Sequence, residues 1–182
     1  MHAEEIYPPY ALKWNIFSGS KAYLQINGDG LDWRTSGYFS SIVSAWNCSY
    51  VLCQSTSFTY SKVDMTTVTT TWWNSNCSVF ESIATAVTRI TDTNNNVITS
   101  SSAAASSTKK IKYAMIAFSP NGQNYPSSPE EIRATMVHEI GHALCLGHVA
   151  YSSLNDSIMK QGYYNYETPR AYDHLVLSNK YS

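Results

Sequence analysis

The tightest constraint on this chain is a short stretch, "HEIGHALCLGH" at 138–148, which holds three of its five histidines. Residues four apart on an α-helix of 3.6 residues per turn stand about 40° apart around the axis, so His138 and His142 share a helix face, one turn above the other. Two imidazoles so placed can grip one ion. His148 follows His142 by six residues, which on an unbroken helix turns it by roughly 240° and points it away. The helix must therefore end between them. "LCLGH" offers the means, because Gly147 takes positive φ without steric cost and lets the chain double back to bring His148 beneath the ion.

Three protein ligands leave a coordination position open, the mark of a catalytic rather than a structural zinc site. Zinc is the default ion, since neutral imidazole nitrogens suit it and a hydrolytic site needs no redox change. Glu139 sits beside the first ligand and projects at a different angle, where it reaches a water at the metal rather than the metal itself.

With 182 residues, the chain suits one domain with a real hydrophobic core. A net charge of -1, only 14% charged residues and no long basic run argue against nucleic acid as a partner. No segment reaches the roughly 18 uninterrupted apolar residues of a membrane span. The surface-type residues are Ser, Thr, Asn and Tyr rather than Lys and Glu, and the four cysteines are an even number, which leans towards export. "MHAEEIYPPY" lacks the features of a secretory leader, so the expectation is a secreted chain shown without it. Cys48 and Cys53 are close enough for a small disulfide loop, leaving Cys77 and Cys145 as a long-range pair. Four cysteines allow three pairings, and four reduced thiols are the remaining option.

Alternation and β-branched content predict strands in "ALKWNIF", "AYLQIN", "SFTYSKV", "TTVTTTWW", "SIATAVTRIT" and "KKIKYAMIAF", the last following a turn at "DTNNN". Trp72 and Trp73 accordingly read as strand residues packed on the core. "DWRTSGYFSSIVSAWN" places Trp33, Tyr38, Ile42, Val43 and Trp46 near helical spacing behind a capping Asp32. A second helix follows in "EEIRATMVHEIGHAL", with acids in its first turn and apolar Ile132, Met136, Ile140 and Leu144. "SSSAAASSTKK" at 100–110 reads as a mobile loop.

"HEIGHALCLGH" resembles the metzincin zinc-binding consensus HExxHxxGxxH, and "SIM", ending eleven residues after His148, looks like that clan's Met-turn. Order and spacing of the elements are similar to the matrixin type over most of the chain. The resemblance implies an α+β zincin fold: a twisted mixed five-stranded sheet, a backing helix and an active-site helix in residues 1–148. A small subdomain, 149–182, would carry the Met-turn and a closing helix in "TPRAYDHLVLSNKY". Met159 would floor the metal site, "SIATAVTRIT" would be the edge strand on which an extended peptide pairs, and Tyr163 would wall the pocket for the residue after the scissile bond. Cys145 stands where the consensus has Gly, and Gln161 where matrixins have Pro. No cysteine-switch propeptide and no extra His and Asp ligands of animal matrixins are visible, so calcium is not indicated.

The implied activity is that of a monomeric zinc endopeptidase acting on protein substrates, with Glu139 as general base and then acid to the leaving amine. Two other readings compete: a retired module that keeps the metal for protein binding, and a zinc protease whose third ligand is a distant glutamate, for which only Glu167 lies downstream. His2 and His174 are assigned to no metal. The Asn-x-Ser sites at Asn47, Asn76 and Asn155 matter only in a eukaryotic secretory route.

Overall fold

Strand β3 (Lys21–Gly30) buries Ala22, Leu24 and Ile26 on one face and turns Tyr23 and Gln25 to the other, the two-residue period of a pleated strand. It lies at the centre of one half of a mixed sheet. Ile26 pairs with Ser55 of β4 (Val51–Ser55) on one side and with Val63 of β5 (Val63–Thr67) on the other. β5 then pairs in parallel with β8 (Lys110–Phe118), and β8 pairs antiparallel with β6 (Ala86–Asp92). The order is β4–β3–β5–β8–β6–β7, where β7 (Val97–Ile98) reaches only Ile90 and Thr91 of β6. Two further two-residue strands, β1 (Lys13–Trp14) and β2 (Phe17–Ser18), add to β8 and β3. The computed structural model describes residues 13, 14, 17, 18, 21–77, 84–98, 110–120, 128–160 and 166–182. The α+β class and the mixed sheet agree with the sequence reading, while the described sheet has eight strands, three of them of two residues, rather than the expected five.

Two helices cover the face that carries Leu24, Ile26, Met65, Ala114 and Ile116. α1 (Phe39–Val43), extended by 3-10 turns at Ser36–Tyr38 and Ser44–Trp46, packs Ile42, Val43 and Trp46 into this core. α3 (Pro129–Ala143) adds Ala134, Val137 and Ile140, and the Trp46 indole donates to the Val137 carbonyl at 2.8 Å, locking the α1 segment to α3. α4 (Ala171–Tyr181) closes the fold, with the Tyr181 hydroxyl donating to the Leu144 carbonyl at 3.1 Å. No helix among the described residues is long and apolar enough to cross a membrane.

Three expected elements differ. Trp33 is exposed in a turn, and the helical segment begins at Ser36; Asp32 caps that turn instead, accepting from the Arg34 amide at 3.0 Å and pairing with its guanidinium. "SFTYSKV" is a 3-10 turn at Phe58–Tyr60, with strand only from Val63. "TTVTTTWW" divides: Thr66 and Thr67 end β5, whereas Trp72 and Trp73 lie on α2 (Thr70–Asn76). The Thr69 hydroxyl accepts from the Trp72 amide at 3.1 Å, and Trp73 is buried against Val68, Val87 and Ala117 on the other sheet face. An N-cap and one buried indole outweigh the modest strand preference of the threonine run. "DTNNN" forms the β6–β7 turn, with Asn95 at φ 66 and the Asp92 carboxylate accepting from the Asn94 and Asn96 amides. The loop at 100–110 lies, but for Lys110, outside the described residues.

Candidate metal centre

α3 begins where its sequence says it should. Ser128 caps it by accepting from the Glu131 amide, Pro129 fills the first turn, and Glu130 and Glu131 meet the positive end of the helix. Three turns later His138 and His142 emerge on one side, their ring centroids 4.7 Å apart. Each ring is oriented through Nδ1. His138 donates to the Ile158 carbonyl and His142 to the Leu146 carbonyl, both at 2.7 Å. A carbonyl only accepts, so the Nδ1 atoms carry the protons and the Nε2 lone pairs are left for a ligand.

The turn that delivers His148 is a Schellman motif. Leu146 N–H bonds the Gly141 carbonyl at 3.0 Å, and Cys145 N–H bonds the His142 carbonyl at 2.8 Å, the paired closure that ends a helix with one left-handed residue. That residue is Cys145, at φ 65. The side chain therefore bears the bend directly, at a cost of about 1 kcal/mol relative to glycine. Gly147, expected to supply the bend, is a buried link between this turn and His148. None of the four cysteines forms a disulfide. The expected Cys77–Cys145 tie is absent because Cys77 belongs to the small cluster around Trp73, across the sheet from the core that encloses Cys145. Cys48 and Cys53 also remain reduced, and burial and the nearby Cys48 push the Cys53 thiol upward.

The turn brings His148 Nε2 to 3.0 Å from His142 Nε2, and ligand atoms of all three histidines lie within 4.8 Å of one another. Two nitrogens at about 2.0 Å from one tetrahedral ion would stand roughly 3.3 Å apart, so the spacing suits a metal ion. Burial, then the neighbouring His138 and His148, hold His142 well below the usual imidazole range. His148, more exposed at one edge, is lowered to about 4 by the same desolvation and by His138. Both are thus neutral, the form that binds metal, across ordinary pH.

This carries a pH consequence. Below the ordinary imidazole value of 6.5 the unfolded chain protonates these two rings while the folded chain resists, so metal-free protein loses stability as pH falls from 6.5 towards 4. Above 6.5 the two rings contribute no slope. Thermal melts of chelated protein between pH 7 and pH 4 should show the fall, and a smaller one in His148→Ala; equal slopes would contradict it.

Glu139 follows the first ligand and is buried, and burial raises its pKa against the opposing influence of His138, Thr88 and Arg89. The Thr88 hydroxyl on β6 lies 2.6 Å from Glu139 Oε2 and 3.2 Å from the Glu139 carbonyl. Ser119 N–H bonds the Thr85 carbonyl at 2.9 Å in continuous register with Ala86↔Phe118 through Thr91↔Tyr113. Hydrogen-bonded and non-hydrogen-bonded pairs alternate in such a ladder, so Ala86 and Thr88 turn their own N–H and C=O away from β8. Among the described residues no strand pairs with them there, since β7 stops at Ile90.

Met159 lies under the helix, fully buried, its sulfur and the Trp46 ring filling the space a side chain at Gly141 would need. A Cβ at Gly141 would stand 2.8 Å from Trp46 Cζ2 and nearer still to the Met159 sulfur. Gly141→Ala is expected to destabilise the protein by about 1–2 kcal/mol in denaturant melts, the overpacking outweighing the helix propensity that alanine adds. A variant as stable as the parent would show that Met159 is not seated there.

Asp173, at the start of α4 and fully buried, binds the turn at 157–159. It accepts from the Ser157 hydroxyl at 2.5 Å, the Ile158 amide at 3.0 Å and the Arg170 amide at 2.7 Å. Ile158 in turn accepts from His138, which makes the carboxylate the anchor of a chain that ends on a ligand. Sequence reasoning missed Asp173, Thr88 and Gly141; only the glycine, inside an otherwise regular helix, carried a local signal. Tyr163 lies outside the described residues, as does His2. Glu167 is held by Arg133 at 2.5 Å, and His174 stacks edge-on against Trp46. Neither belongs to the histidine cluster. No protein-family model, curated protein or solved structure matches the chain.

Proposed function

We propose that this protein is a zinc-dependent endopeptidase of metzincin type, exported and acting on extended polypeptide. The observation that carries the reading is the convergence of three imidazoles beside one buried carboxylate that is bonded to a sheet strand. His138, His142 and His148 would hold the ion, and an all-nitrogen set of three with a position to spare suits zinc in a hydrolytic role. Zinc bound there supplies Lewis acidity, which polarises a carbonyl and acidifies a water.

The chain's own residues supply the rest. The backbone of β6 at Ala86 and Thr88 would pair with an extended substrate and set its carbonyl over the histidines. Glu139 takes the proton of the attacking water and passes it to the leaving amine, a task suited to a carboxylate whose pKa burial has raised. The Ile158 and Leu146 carbonyls keep the ligand rings from turning during the cycle.

The deciding experiment is digestion of a peptide library by purified protein, with and without a chelator, alongside metal analysis. Stoichiometric zinc and chelator-sensitive cleavage are expected. Zinc binding without cleavage would leave a binding module, and the absence of both would sink the metalloprotease reading.

A further inference from the structure

We infer that Thr88 is a positioning residue for the base, tying the Glu139 carboxylate to the strand on which substrate docks. The inference rests on the hydrolase reading for its catalytic meaning, though the contact itself does not. The Thr88 hydroxyl has one proton, and of its two acceptors on Glu139 the carboxylate oxygen Oε2 is the nearer, 2.6 Å against 3.2 Å. That bond engages Oε2, so proton transfer by the base would fall to Oε1. A hydroxyl donating to a charged, buried acceptor is a strong bond, and its loss leaves the carboxylate without a fixed rotamer.

Thr88 does this from an unusual place. Its side chain points to the helix side of β6, in phase with Ala86 and Ile90, which belong to the main core. Its backbone N–H and C=O point out of the same strand on the side away from β8, by the alternation set at Thr85 and Ser119. One residue thus faces the substrate backbone through its peptide groups and the base through its hydroxyl. Arg89, the other β6 residue whose charge reaches Glu139, lies on the opposite face and donates to the Asn76 carbonyl at 2.8 Å. Positioning by direct contact therefore falls to Thr88, and docking a peptide on β6 would set the base and the scissile carbonyl in one frame.

The test compares Thr88→Val, which keeps the β-branched shape and removes the hydroxyl, with Thr88→Ser, which keeps the hydroxyl. Zinc content should stay near wild type in both, while the melting temperature should fall in Thr88→Val, which leaves a buried acceptor unpaired, and stay near wild type in Thr88→Ser. With a cleaved peptide, Thr88→Val should lose about tenfold or more in kcat with little change in KM, and Thr88→Ser should stay within about threefold of wild type. In metal-free protein, the 13C carboxyl resonance of Glu139, assigned by its loss in Glu139→Ala, should move in Thr88→Val and not in Thr88→Ser. An unmoved resonance, or equal kcat losses in both variants, overturns the positioning role. If wild type cleaves nothing, the hydrolase reading fails while the resonance still decides whether Thr88 holds Glu139.

Discussion

Glu139→Ala is expected to bind zinc as tightly as wild type while losing peptide turnover by about 10³-fold or more. The carboxylate contributes nothing to the histidine cluster that would hold the ion, so metal content should not change. It is a buried acid whose charge interacts with His138 of that cluster, and general-base catalysis of this kind is worth roughly 10²- to 10⁴-fold, with electrostatic help to the departing amine added to it. Removing it also leaves the Thr88 hydroxyl without its nearer acceptor, though Thr88 can still bond the residue 139 carbonyl at 3.2 Å. The melting temperature should therefore shift little, and a stable, zinc-loaded and inactive variant is the expected one. Metal analysis and initial rates check it together, and cleavage at a normal rate would reassign the base.

Asp173→Ala should have the second large effect, on stability and on metal affinity at once. The substitution leaves the Ser157 hydroxyl and the Ile158 and Arg170 amides without the acceptor they share in the interior. Each orphaned buried donor costs about 1–3 kcal/mol, so a total of roughly 3 kcal/mol or more is expected in denaturant melts. The turn at 157–159 then loses its tether, the Ile158 carbonyl drifts from His138, and zinc should bind about 10- to 100-fold more weakly, as when outer partners of metal ligands are removed. Asp173→Asn can keep its oxygen on the two backbone amides and turn its NH2 to the Ser157 hydroxyl oxygen, so it should fall between. A competition titration with a zinc chelator measures the affinity change. Wild-type zinc affinity in Asp173→Ala would show that His138 holds its orientation without that turn.

What was legible beforehand divides by sequence distance. His138, Glu139 and His142 could be placed because a helix converts spacing into angle without reference to the rest of the chain. The end of that helix was legible too, but not which residue would carry it, because a cysteine and a glycine two positions apart both offered an answer. Only the paired bonds from Cys145 and Leu146 back into the last turn decide for Cys145. Trp72 and Trp73 were misread because one threonine hydroxyl, acting as a cap, outranked the strand preference of the whole run. Thr88 lies 51 residues from Glu139, and Asp173 lies 15 from Ile158. Contacts of that kind are set by which strand and which helix become neighbours, and no local pattern announces them.

Cys145 has a consequence beyond backbone geometry. Its thiol is enclosed at the end of α3 and pushed up to about 12 by burial, so it is neither accessible nor ionised in the folded protein. Alkylating reagents can reach it only when the segment between His142 and His148 comes apart. The rate at which this sulfur reacts therefore reports how often two of the three histidines separate, and a bound ion that clasps both would slow it in proportion to its affinity. Where the consensus glycine would be silent, this chain carries a built-in chemical clock on the opening of its own metal site.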